Sequence, residues 1–223
     1  MRLDSRLGSG LQGQGRSTGS FSSNGCWPPC TLAQVIAHLV ADAQTGVVDG
    51  TEIRVRRPAA HRKDRDRFVS GKTKRNAVKS MVLTDAAGRV LFCSPVQRGS
   101  CAAITQARQL GLVEFLADGP FMKILADAGY QGMGPQAGGQ MATPTHHKFK
   151  WKAPTRYEES LERQRQAHSS RRIPVEHGIA HLKNWRALAR RLGRREHMSD
   201  IVQAVAGLLS HQQTAPLSHG LRV

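Results

Sequence analysis

The sequence predicts an α/β protein, a mixed sheet flanked by helices behind a disordered N-terminal tail. Three observations carry this expectation. Apolar stretches at 47–55, 77–84, 89–96 and 122–126 have the length and pattern of strands. Stretches with apolar residues at helical spacing lie at 31–43, at 102–116 and from 174 onward. Residues 1–30 are rich in Gly, Ser and Gln and hold too few apolar side chains to offset the entropy of ordering.

In chain order, the lead-in helix 31–43 sets Leu32, Val35, Ile36 and Leu39 on one side. The strand 47–55 starts as an apolar run and ends in alternation, and Arg56-Arg57-Pro58 stops it. A segment dense in Arg and Lys follows to Asn76, with a turn at Ser70-Gly71-Lys72. Strands 77–84 and 89–96 are joined by the hairpin turn Asp85-Ala86-Ala87-Gly88. Helix 102–116 repeats Ile104, Ala107, Leu110 and Leu116, and Pro120 follows it. The short strand 122–126 runs into Asp127-Ala128-Gly129-Tyr130, and 131–142 reads as a Gly- and Gln-rich loop. A polar helix is expected over 157–168, a separate long helix opening at Pro174 and reaching 192, and a last helix over 199–212. That last helix should turn Ile201, Val205, Leu208 and Leu209 to the core. A three-stranded meander, a helix, a further strand and then helices is an order that fits the RNase H-like class. The domain is expected over 46–213, with 31–45 as a helical lead-in and tails at 1–30 and 214–223.

Charge narrows the function. There are 33 Lys and Arg against 16 Asp and Glu, a formal net charge of +17. A field of one sign that large favours polyanions, above all nucleic acid, whose counterions are released on binding. No apolar run approaches the ~20 residues needed to span a bilayer. The N-terminal arginines have no apolar stretch behind them, so no signal peptide is expected, and a cytoplasmic, nucleoid-associated protein is. Cys26 and Cys30 are separated by three residues, with no second pair at ligand spacing, so a zinc site is not expected. All four cysteines read as reduced thiols, with Cys93 and Cys101 in or near the core. His177 and His181 have a zinc-like spacing without the Glu of His-Glu-x-x-His. Two basic stretches are candidate phosphate contacts, or else solvated faces. One is 54–79, with Arg56, Arg57, Lys72 and Lys79; the other is Arg190, Arg191, Arg194 and Arg195. His146-His147 with Lys148, Lys150 and Lys152 reads as a basic loop facing DNA, and Trp185 as a core residue.

Three carboxylates stand out. Asp49 lies inside an apolar strand, where a charge is costly unless paired or used. Asp127 ends another strand, where α/β sheets commonly place ligands. Glu176 lies near the expected start of the long helix, with Lys183 seven residues on and within about 20° of it around the axis. Arg172 joins that line if the helix has begun by then, and Val175, Ile179 and Leu182 make the neighbouring apolar stripe. Plainer readings stand beside these. Asp49 could be a turn residue before Gly50, Asp127 could cap a helix, and Glu176 could favour a helix N-terminus. Three carboxylates on different elements could hold two hard cations about 4 Å apart, suited to phosphodiester cleavage. A nearby Arg and Lys would hold the phosphate.

The run Val48-Asp49-Gly50-Thr51-Glu52-Ile53, with Arg56-Arg57-Pro58, Ser70-Gly71-Lys72 and Lys79, resembles the first-carboxylate region of DDE transposases of bacterial insertion sequences, in the Harbinger-related branch. Ala126-Asp127-Ala128-Gly129-Tyr130-Gln131-Gly132 resembles the second motif, and Arg172-x3-Glu176-x6-Lys183 the third. The resemblance implies an RNase H-like fold and two Mg²⁺ or Mn²⁺ ions on Asp49, Asp127 and Glu176. It implies phosphate contacts from Arg172 and Lys183, double-stranded DNA as substrate at transposon ends and target, and self-association on that DNA. Ser169 stands where the signature has Tyr, and Ala103 where relatives often have Asp. No helix-turn-helix is recognisable ahead of Asp49, so a truncated copy is expected. The alternative is a non-catalytic, basic nucleic-acid-binding remnant. A Holliday-junction or RNase H-type nuclease on the same fold is disfavoured by the Arg-x3-Glu-x6-Lys spacing.

Overall fold

The computed structural model describes residues 31–61, 63–146, 154–189 and 195–214. The expected N-terminal tail with Cys26 and Cys30, the basic stretch from His147 to Lys152, Arg190, Arg191 and Arg194, and residues 215–223 lie outside the described residues.

Helix α1, Leu32–Ala41, begins at a capping box. The Thr31 hydroxyl accepts from Gln34 N at 3.3 Å, and the Gln34 side chain accepts from Thr31 N at 3.1 Å, which satisfies two otherwise unpaired amides. Its buried side is Leu32, Val35, Ile36 and Leu39, the set that the spacing marks.

Strands β1 (Gly46–Arg54) and β2 (Ala77–Thr84) pair antiparallel from Val47↔Thr84 to Arg54↔Ala77. Strand β3 (Val90–Cys93) returns along β2. The turn between them is held by Asp85, whose Oδ1 accepts from the amides of Ala87 and Arg89, both at 2.9 Å. Strand β4 (Gln97–Arg98) also pairs with β2. On the other side of β1, β5 (Ile124–Ala126) runs parallel to it, and β6 (Met141–Ala142) runs parallel to β5. The order β3-β2-β1-β5-β6, antiparallel on one side of β1 and parallel on the other, is the mixed sheet expected of an RNase H-like domain.

Side chains alternate along the strands, so β1, β2 and β3 each feed cores on both faces of the sheet. Val48, Met81 and Leu83 join α1 and the helices after β4 on one face. Ile53, Val78 and Val82 join the C-terminal helices on the other.

Four expectations need correction. The single helix over 102–116 is two, α2 (Ala103–Gln109) and α3 (Leu112–Ala117). Gly111 between them has φ +74°, a left-handed conformation that ends a helix. The loop 131–142 contains a short helix, α4 (Met133–Gln136), and strand β6, both too short to leave a periodic signal. The two helices expected at 157–168 and from Pro174 are one, α5 (Thr155–Asn184), with Pro174 inside. A proline there removes one backbone hydrogen bond, but packing on the sheet holds the helix continuous. A short α6 (Arg186–Ala189) follows, so the long helix ends well before 192. Helix α7, Met198–Thr214, buries Met198, Val202, Val205, Ala206 and Leu209. Leu208 lies off that stripe and is 57% exposed, contrary to its expected place in the core. Trp185 packs at the margin of the second core, as expected. No helix among the described residues is long and apolar enough to cross a membrane.

The seat of α5 is set by glycines. A Cβ on Gly178 would lie 2.6 Å from Gly88 O, and one on Gly88 would strike Pro174 O. Gly88 also sits at φ +83°, which closes the β2–β3 turn. Gly178→Ala should therefore lift the helix and destabilise the fold by about 1–3 kcal/mol, seen as a lower Tm. The exposed neighbour variant His177→Ala should change stability by no more than about 0.5 kcal/mol.

Burial also pushes the Cys93 thiol up to about 12. Almost no thiolate is then present at pH 8, and only the thiolate is nucleophilic. Brief alkylation of the native protein, mapped by mass spectrometry, should label the partly exposed Cys101 and leave Cys93 unlabelled until denaturant is added.

Candidate active site

The parallel pairing of β1 with β5 brings two carboxylates together. Val48 is in register with Ala126, the last residue of β5, so Asp49 on β1 and Asp127, just past the end of β5, each follow that pair in the chain. Strand β5 stops there because Asp127 caps a 3-10 turn, Ala128–Tyr130, its Oδ1 accepting from Gly129 N at 2.7 Å. The capping reading of Asp127 thus holds at the level of local structure. Asp49 is no turn residue: it stays within β1, opposite Val82, with Oδ1 accepting from Gly50 N at 2.7 Å.

Helix α5 crosses this edge. The ring of His168 lies 2.8 Å from Ala126 O and docks the helix on the end of β5. One turn on, Arg172 Nη2 donates to Asp49 Oδ2 at 2.8 Å, with both side chains mostly buried (13% and 18% exposed). Another turn on is Glu176, exposed and well inside the helix rather than at its N-terminus. The charges feel one another. Burial holds the Asp49 carboxyl above its usual range; Arg172 and the Gly50 amide pull it down, while Asp127 and Glu176 push it up again. Tyr130, 1% exposed, has its phenol raised by burial and by Asp49 and Asp127, and its hydroxyl has no hydrogen-bond partner among the described residues.

The cations divide. Lys183 ends the same edge of α5, and burial lowers its pKa against the pull of Glu52 and Asp49, with Lys72 lowering it further. Lys72, Arg56 and Arg57 are exposed to solvent. Lys79 is turned inward: its Nζ donates to Cys101 O at 2.9 Å and lies 3.6 Å from Glu52 Oε1.

Three members of this neighbourhood escaped sequence reasoning. Glu52 accepts from Ser70 Oγ at 2.6 Å and from Thr73 Oγ1 at 2.9 Å. His168 carried a readable signal, four residues before Arg172 and eight before Glu176 on one helix. Tyr130 carried none beyond its place in the Asp127 turn.

Oxygen-only carboxylate donors suit a hard divalent cation such as Mg²⁺, which takes one or two carboxylates and fills its remaining positions with water and phosphate oxygens. The donor chemistry fits an open site of that kind. No closed cage of three His, Cys, Asp or Glu exists among the described residues, and Arg172 occupies Asp49 Oδ2.

The sheet is thus mixed, with acidic groups gathered where β5 ends against β1 and cations around them. The family model of the DDE superfamily endonucleases matches residues 48–210, a span that includes all three carboxylates, and the chain belongs to that family. No curated protein and no solved structure matches it.

The Arg172–Asp49 pair gives a pH test. Arg172→Met leaves a mostly buried carboxylate without its partner and should cost about 1–3 kcal/mol near pH 7. It also raises the Asp49 pKa further. A carboxyl with a raised folded pKa binds more protons folded than unfolded, so stability falls as pH rises from the ordinary value of 3.8 to the folded one. The deficit of the variant should therefore shrink as pH falls through that window. Urea denaturation of both proteins at several pH values measures it, and a pH-independent deficit would contradict the pairing.

Proposed function

We propose that the chain is the catalytic domain of a DNA transposase, cutting phosphodiester bonds at the ends of an insertion sequence and joining them to target DNA. The observation that carries this reading is the parallel register that sets Asp49 beside Asp127 under an α5 edge bearing Arg172, Glu176 and Lys183. Asp49, Asp127 and Glu176 would hold Mg²⁺ or Mn²⁺. Bound there, such ions supply Lewis-acid stabilisation of charge on the attacking and leaving oxygens. The chain's own residues orient the substrate. Lys183, Lys72, Arg56 and Arg57 meet phosphates, and Arg172 holds Asp49 in place from the helix side. The net charge of +17 supports a long duplex footprint.

A supercoiled-plasmid assay with Mg²⁺ or Mn²⁺ tests the reading. Asp49→Asn, Asp127→Asn and Glu176→Gln should each reduce nicking on the order of 10²-fold or more, with the folded state retained by circular dichroism. Equal nicking by all variants would show that the activity is not this site's.

One observation favours a second reading. Arg172 already neutralises Asp49, as it would in a basic nucleic-acid-binding remnant that no longer cuts. That reading predicts duplex binding with no nicking by the wild-type chain under either cation.

A further inference from the structure

Glu52 is three residues past Asp49 on β1 and is used by neither the fold's cores nor the carboxylate site. Its carboxylate is a hub. Oε1 accepts from Ser70 Oγ, a fully buried residue, and Oε2 from Thr73 Oγ1. Ser70 Oγ in turn accepts from the amides of Lys72 and Thr73, each at 3.1 Å. Across the strands, Lys79 stands in register with Glu52 and ties it to Cys101 O. The 70–73 turn, β2 and, through Lys79, the loop at Cys101 thus meet at one side chain of β1, and the turn it fixes presents Lys72. Lys72 is among the charges that lower the Lys183 pKa, so the two ammonium groups lie within electrostatic reach of each other.

We propose that Glu52 is a positioning residue: it clamps the 70–73 turn to β1 so that Lys72 stands as a phosphate contact beside Lys183. This rests on the DNA-cutting reading above. The argument turns on sign. A carboxylate here repels DNA, and by charge alone its removal strengthens binding. A positioning role gives the opposite result, because the lysine it places is lost with it.

The test uses the full chain and a short DNA duplex, with anisotropy titrations at several salt concentrations. Glu52→Ala should weaken binding several-fold, as Lys72→Ala does. Each should lower the slope of log affinity against log salt by about 0.9, one phosphate contact. The double variant should bind no more weakly than Lys72→Ala alone, since residues acting through one another are not additive. Ser70→Ala, which removes the loop's half of the clamp, should repeat the Glu52→Ala result and serves where that variant does not fold. Without DNA, amide exchange at Lys72 and Thr73 should quicken about tenfold in either variant, as their hydrogen bonds loosen. Tighter binding by Glu52→Ala, additive losses in the double variant, or unchanged exchange overturns the proposal. Normal wild-type binding with an unaltered Glu52→Ala sinks this inference alone. No duplex binding by the wild-type chain sinks the DNA reading and takes this inference with it.

Discussion

The close seat of α5 on the β2–β3 turn is the constraint on which the rest of the site depends. Gly178 meets Gly88 O, and Gly88 lies under Pro174 O, so helix and hairpin touch backbone to backbone. Close packing of this kind fixes the rotation and height of a helix more tightly than side-chain contacts, which can adjust. From that seat the helix projects His168 onto β5, Arg172 onto Asp49, and Glu176 and Lys183 along the same edge. Were α5 to rise by an ångström, every one of these relations would loosen together.

The sheet makes the complementary contribution. Its parallel pairing of β1 with β5 ends at Val48↔Ala126, and Asp49 and Asp127 each follow that pair. Burial, and to a smaller extent the like charges of Asp127 and Glu176, hold the Asp49 carboxyl above its usual range. Arg172 offsets part of that repulsion. Such shifted groups gather at functional sites, and structural ion pairs shift them too. Membership of the DDE superfamily endonucleases gives this one its chemical sense.

On the other face of β1 a separate polar system holds the basic loop to the sheet. Glu52, Ser70, Thr73 and Lys79 form bonds between residues distant in the chain, with the first hydroxyl fully buried. Lys79, read from sequence among the solvent-facing cations, is drawn inward by this system. The basic stretch thus divides between ions that brace the loop and ions that face outward.

Much of the fold was legible in the chain itself. The lead-in helix, β1, β2 and the hairpin turn follow from local periodicity and turn chemistry, which depend on neighbours in sequence. The three acidic positions and the α5 edge were marked by residue type and by helical spacing. Other features needed the tertiary structure. The continuity of α5 through Pro174 contradicts local propensity and is upheld by packing. The break at Gly111 and the short β6 leave no periodic signal. The pairing of Arg172 with Asp49, the hub at Glu52 and the dock of His168 join residues 18 to 123 positions apart, at distances that only the folded chain defines. Sequence by itself settled which residues carry charge and which faces are apolar. Which charges meet was decided by strand register and helix seat, because both arise from contacts between segments that periodicity does not relate.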